Sequence, residues 1–139
     1  DSRDDVITEE PSQSLEFFWK CLFGKDNPPV KLKLVYGGPL NDELFARREV
    51  RRLVRVLNQS GRAKEEDSEE ITRAEERIDD LCTSNDTHIV ALGEVSDARI
   101  LCTEDSDLEN DFTNRSILDP PGSIYKRDSD HRHLIDEDY

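Results

Sequence analysis

Methionine is absent from this 139-residue chain, tryptophan occurs once, and aromatic residues make up only 6%. Hydrophobic residues of every kind reach 34%, so any core has to be lean and largely aliphatic. No apolar run is longer than four or five residues, whereas a membrane-spanning helix needs about 20, so no such span is expected. No charged-then-apolar signal segment is expected at its start either. The three cysteines, Cys21, Cys82 and Cys102, form no C-x-x-C pair and cannot all pair with one another. Free thiols in a reducing, cytoplasmic compartment are the expectation. Basic residues are also scarce: 19 stand against 33 acidic ones, for a net charge of −14. A field of that sign repels phosphate, which argues against generic electrostatic binding to nucleic acid or to an anionic membrane. Hydrolase signatures are missing too. There is no G-x-S-x-G, and His88, His131 and His133 lie far in sequence from any persuasive nucleophile. Gly37-Gly38 lacks the lysine and spacing of a phosphate loop and reads as a turn.

What remains suits one domain over residues 1–139, with a polar tail from 126 to 139 expected to fray. Pro11, Ser12 and Ser14 precede Leu15, Phe18, Trp19 and Leu22 at helical spacing. Val30–Tyr36 alternates and then turns wholly apolar, as a strand does. After Gly37-Gly38-Pro39, apolar positions from Leu40 to Leu57 predict one helix reaching Gly61. A weak extended piece follows near Arg62–Glu66. Ser68 is the expected cap of a helix with Ile71, Ala74, Ile78, Leu81 and Cys82 inward, and Ser84 or Asn85 of another with Ile89, Val90, Leu92 and Val95. Ala98–Thr103 reads as a short buried strand, and the chain after Pro120 as irregular. Asp1 opens a charged stretch instead of an apolar strand. Helices alternating with few, buried strands predict an α/β sandwich around a parallel sheet.

Charge is unevenly spread. From Leu40 to Ala63 six arginines (47, 48, 51, 52, 55 and 62) face three acids, and from Lys64 to Asp80 nine acids face three bases. The first stretch reads either as a solvated helix with i,i+4 pairs such as Glu43 to Arg47 or as a basic strip for a phosphate backbone. The acids of Thr103-Glu104-Asp105-Ser106-Asp107-Leu108 follow directly on the apolar run Ile100–Cys102. In an open parallel sheet, ligands bind at the carboxyl ends of strands. Asp86 precedes Asp105 by a helix–turn–strand length that returns the chain alongside its own start. Grouped carboxylates repel unless a cation neutralises them, and hard oxygen ligands select Mg²⁺ or Mn²⁺.

Asn85-Asp86-Thr87-His88-Ile89-Val90-Ala91-Leu92, followed by Val95–Leu108 with its Thr103-x-Asp105-x-Asp107-Leu108, resembles the C-terminal half of a PIN domain. Asp111-Phe112, Asn114, Ile117, Pro121–Tyr125 and His133-Leu134 are similar to the tail of one PIN-like subgroup, and Gly37–Leu44 to its strand-to-helix turn. The resemblance spans roughly Val30 to Leu134. It implies a PIN-like α/β/α sandwich and a metal-dependent nuclease, most often a single-strand ribonuclease and in many cases the toxin of a toxin–antitoxin pair. The resemblance makes Glu43, Asp86, Asp105 and Asp107 the ligands of Mg²⁺ or Mn²⁺, with Glu43, Asp86 and Asp105 catalytic. Arg47, Arg51 and Arg55 would hold the RNA backbone, and an antitoxin-like or regulatory protein, or a second copy of the chain, would be the protein partner. PIN domains usually open with a strand ending in Asp, a position that Asp1, Asp4 or Asp5 could supply here through a shifted turn. The competing expectations are a PIN-like binding module without turnover and an acidic protein-interaction domain.

Overall fold

The computed structural model describes residues 5–8 and 33–125. Five short strands form one all-parallel sheet: β1 (Val6–Thr8), β2 (Leu34–Tyr36), β3 (Ala63–Glu65), β4 (Ile100–Cys102) and β5 (Ser123–Tyr125). Their order across the sheet is β3-β2-β1-β4-β5. All three residues of β1, β2 and β4 are buried, whereas β3 at one edge is half-buried to exposed. Parallel strands covered on both faces have to be apolar throughout, so these segments show no alternation.

Five helices connect the described strands: α1 (Leu40–Leu44), α2 (Arg48–Gln59), α3 (Ser68–Ile78), α4 (Thr87–Ser96) and α5 (Ser106–Phe112), with a 3₁₀ turn at Asp79–Leu81. The expected helix from Leu40 to Gly61 is therefore two. Leu40 and Leu44 define one buried stripe, and Val50, Leu53, Val54 and Leu57 another. At about 100° per residue the six-residue step from Leu44 to Val50 is out of phase, so one straight helix cannot bury both. The break lies at Phe45–Arg47. Phe45 packs edge-on against Tyr36 with ring centroids 5.7 Å apart, and its carbonyl accepts a bond from Arg51 Nη1 at 2.9 Å.

α3 is capped by Asp67, not Ser68: the Asp67 side chain accepts from Glu69 N at 2.7 Å. Leu81 was expected on its buried face, but the helix ends at Ile78 and the tighter turn leaves Leu81 53% exposed. β1 and β5 appear where no strand was expected, and β1 is the centre of the sheet. The helix expected over residues 11–22 and the polar tail lie outside the described residues.

The core joins Val6, Ile7, Val35, Leu101 and their sheet neighbours to Leu40, Leu44, Leu53, Ile71, Ile89, Leu92, Leu108, Phe112 and Leu118. α4 is buried on almost every side, through Thr87, Ile89, Val90, Ala91, Leu92, Gly93 and Ser96. Among the described residues, no helix is long and apolar enough to cross a membrane.

Candidate functional site

The chain leaves β1 for β2 on one side and later takes up β4 on the other, so the order reverses between β1 and β4. In open parallel sheets such a reversal of strand order is the place where ligands bind, outside the carboxyl ends of the strands. Thr8 pairs with Cys102 at that edge. Asp105 lies three residues beyond Cys102 and is the N-cap of α5, its Oδ1 accepting from Asp107 N at 3.0 Å and Leu108 N at 3.3 Å. Its own N–H donates to Thr103 Oγ1 at 3.1 Å, which sets the turn out of the strand. Asp107, in the first turn of α5, is exposed.

Asp86 is the N-cap of α4. The end of α4 joins the start of β4 through Asp97, Ala98 and Arg99 alone, and a helix of that length runs about 15 Å. The start of α4 therefore lies towards the carboxyl edge. Unlike Asp105, Asp86 makes no side-chain capping bond. Its Oδ1 faces His88 Nε2 at 3.7 Å, a distance for charge interaction but too long for a hydrogen bond. Glu43 is exposed on α1, which starts four residues after β2 at the same edge. Asp5 precedes β1 and is buried at the opposite, amino edge, with the three residues of β1, about 10 Å of strand, between it and the carboxyl edge. Asp5 is thus not placed to join these acids, and Asp1 and Asp4 lie outside the described residues.

Three acid-bearing elements thus begin on one edge. Among the described residues, no three His, Cys, Asp or Glu side chains are grouped so as to hold a metal ion. The basic strip is real as a surface: Arg51 and Arg55 are exposed on α2, along with Arg48 and Arg52, opposite the buried Val50, Leu53, Val54 and Leu57. Arg48, Arg52 and Arg55 form no ion pair among the described residues, and the expected Glu43–Arg47 pair is not formed. Arg47 caps the helix in an extended conformation, so Arg47 and Arg51 stand at the end of α2 nearer α1 and the acids.

Two buried polar residues were not foreseen as contributors. Asp111, 1% exposed, accepts from the backbone of Thr83 and Ser84. Arg99 is buried beside β4 and donates to the carbonyls of Pro120, Gly93 and Ala98 at 2.7, 2.6 and 3.0 Å, fastening the end of α4 to the segment before β5. For Arg99 the signal was a charged residue inside the apolar run Ala98–Cys102; Asp111 stands among the polar residues Glu109 and Asn110 and carried none. Cys82 and Cys102 are free of disulfides. Comparison of the chain with protein-family models, curated proteins and solved structures gave no match.

Proposed function

We propose that the carboxyl edge at the β1–β4 junction is the active site of a Mg²⁺- or Mn²⁺-dependent endonuclease acting on single-stranded RNA. The observation that carries this reading is the placement of Asp86 and Asp105, which each begin a helix on that edge, with the Asp86 carboxylate taken up by no capping bond. The PIN-like pattern from Asn85 to Leu108 points to the same residues. The donor set is all oxygen, which suits these two ions. Mg²⁺ keeps several waters and is held by one or two carboxylates together with substrate phosphates, so it needs no all-protein cage.

In this reading Asp86 and Asp105 hold the ion, with Glu43 and Asp107 contributing from α1 and the first turn of α5. A bound divalent ion supplies charge stabilisation for the phosphoryl oxygens and an acidified water. Arg47, Arg51 and Arg55 bind the phosphate backbone and draw the strand onto a protein whose net charge of −14 would otherwise repel it. No side-chain nucleophile takes part.

One observation favours a second reading, a PIN-like module that binds RNA or a regulatory protein without turnover: the described residues contain no group of three metal-ligating side chains. Asp105→Asn separates the two. Asparagine caps a helix about as well as aspartate, so the fold survives while a charged ligand is lost. With Mn²⁺ and single-stranded RNA, the wild-type chain is expected to cut and to stop in chelator, and Asp105→Asn to lose activity with an unchanged circular dichroism spectrum. A folded wild type that binds RNA and never cuts it establishes the module instead.

A further inference from the structure

Asp111 closes α5 with both carboxylate oxygens turned inward. Its Oδ1 accepts from Thr83 N at 2.9 Å and Thr83 Oγ1 at 3.0 Å, and its Oδ2 from Thr83 N at 3.1 Å and Ser84 N at 2.8 Å. Burying a carboxylate is costly unless hydrogen bonds replace its water, and this one is met by donors from a single tight turn. That turn continues into Asp86: the Asp86 N–H donates to Ser84 Oγ at 2.8 Å, and Ser84 is itself buried. The path Asp111–Ser84–Asp86 therefore runs from the helix that Asp105 begins to the turn that carries Asp86. The Asp86 carboxylate makes no capping bond of its own and is faced by His88 Nε2 at 3.7 Å, so among the described residues the hydrogen bond that fixes the Asp86 backbone to the preceding turn is the one to Ser84 Oγ.

We propose that Asp111 is a positioning residue for Asp86, acting through Ser84 to hold the two acid-bearing helix starts in one register. The inference rests on the metal-site reading of Asp86 and Asp105 and adds what keeps them together. A group that orients a ligand from behind typically changes metal affinity or activity 10–100-fold when removed.

The test uses the full chain. Asp111→Asn keeps the shape but sets an amide N–H₂ against Thr83 and Ser84 N–H. In metal-free buffer, amide exchange at Ser84 and Asp86 is expected to accelerate while Leu101 in β4 stays protected. Titration with Mn²⁺ alone is expected to show an affinity at least about tenfold weaker. In RNA cleavage, kcat should fall with KM unchanged, because the α2 arginines are untouched. Ser84→Ala removes only the link to Asp86 and should weaken Mn²⁺ binding while leaving the Thr83 amide protected; Ser84→Thr restores the hydroxyl and should recover it. If Asp111→Asn loses protection at Leu101 as well, the Ser84 pair decides. Wild-type Mn²⁺ affinity in Ser84→Ala or in a folded Asp111→Asn overturns the proposal. If the wild type itself binds no Mn²⁺, the nuclease reading fails, and unchanged exchange at the Asp86 amide in Asp111→Asn then overturns the positioning role separately.

Discussion

Cys82 is half-buried directly before the Thr83–Asp86 turn, and its thiol is pushed up to about 11. Burial is the largest cause, the charge of Asp111 the next, and a hydrogen bond with Thr87 works the other way. The unfolded thiol titrates near about 8.5. A folded value above the unfolded one means the native state holds its proton more tightly, so this contribution is complete below about pH 8.5 and is lost as pH rises through about 11. Between those limits Tm is expected to fall more steeply for the wild type than for Cys82→Ala. Parallel slopes for the two chains would show that the thiol is not held in this way. Slow alkylation at neutral pH is the companion outcome, because the thiolate is the nucleophile.

α4 contains two positions where substitutions should act with opposite sign. Gly93 is buried, and a Cβ there would meet Phe112 Cε1 at 2.9 Å and the Ala98 carbonyl at 3.4 Å. Alanine would gain about 1 kcal/mol of helix propensity. It would also overpack the seam that holds Phe112, a cost of about 1–3 kcal/mol. Gly93→Ala should therefore lower Tm. Asp97 ends the helix at φ 66°, the left-handed conformation that costs an L-residue roughly 1–2 kcal/mol and glycine little. Asp97→Gly should raise Tm, the gain reduced by the greater entropy of glycine in the unfolded chain. Thermal unfolding of both variants checks the pair, and a stabilised Gly93→Ala would mean that Phe112 yields.

In this protein of net charge −14, α2 presents a basic face among the described residues. Self-repulsion of that size should be relieved by salt. Raising ionic strength from about 0.01 M to about 1 M shortens the Debye length from about 30 to about 3 Å, so Tm is expected to rise. The proposed RNA binding should respond in the opposite direction, weakening with salt because releasing the same counterions into a more concentrated solution gains less entropy. Arg55→Ala should weaken binding to all single-stranded sequences alike and reduce the slope of log affinity against log salt by roughly 1. A filter-binding series at several salt concentrations measures it, and an unchanged slope would remove Arg55 from the proposed interface.

The order of residues alone was enough to establish the α/β class, the amphipathic helices α2 and α3, and the placement of Asp105 just past a buried strand. Each rests on neighbours within one or two turns: a stripe of apolar side chains, a cap, or an apolar run leading into acid. The single long helix failed because its two apolar stripes are out of phase, a mismatch visible in the spacing of Leu44 and Val50 but resolved by Phe45 packing on Tyr36. β1 and β5 were hidden because three-residue parallel strands carry no periodicity, and their pairing partners are distant in the chain, as with Val6 and Ile100. The expectation that Asp86 and Asp105 share one edge came from the length of the returning segment. The contact of Asp111 with the turn before Asp86 was not legible, because Asp111 reaches Thr83 across 28 residues of sequence. A buried carboxylate finds its donors only once α4 and α5 have packed, and that packing depends on side-chain shape, which a pattern of apolar and polar positions does not encode.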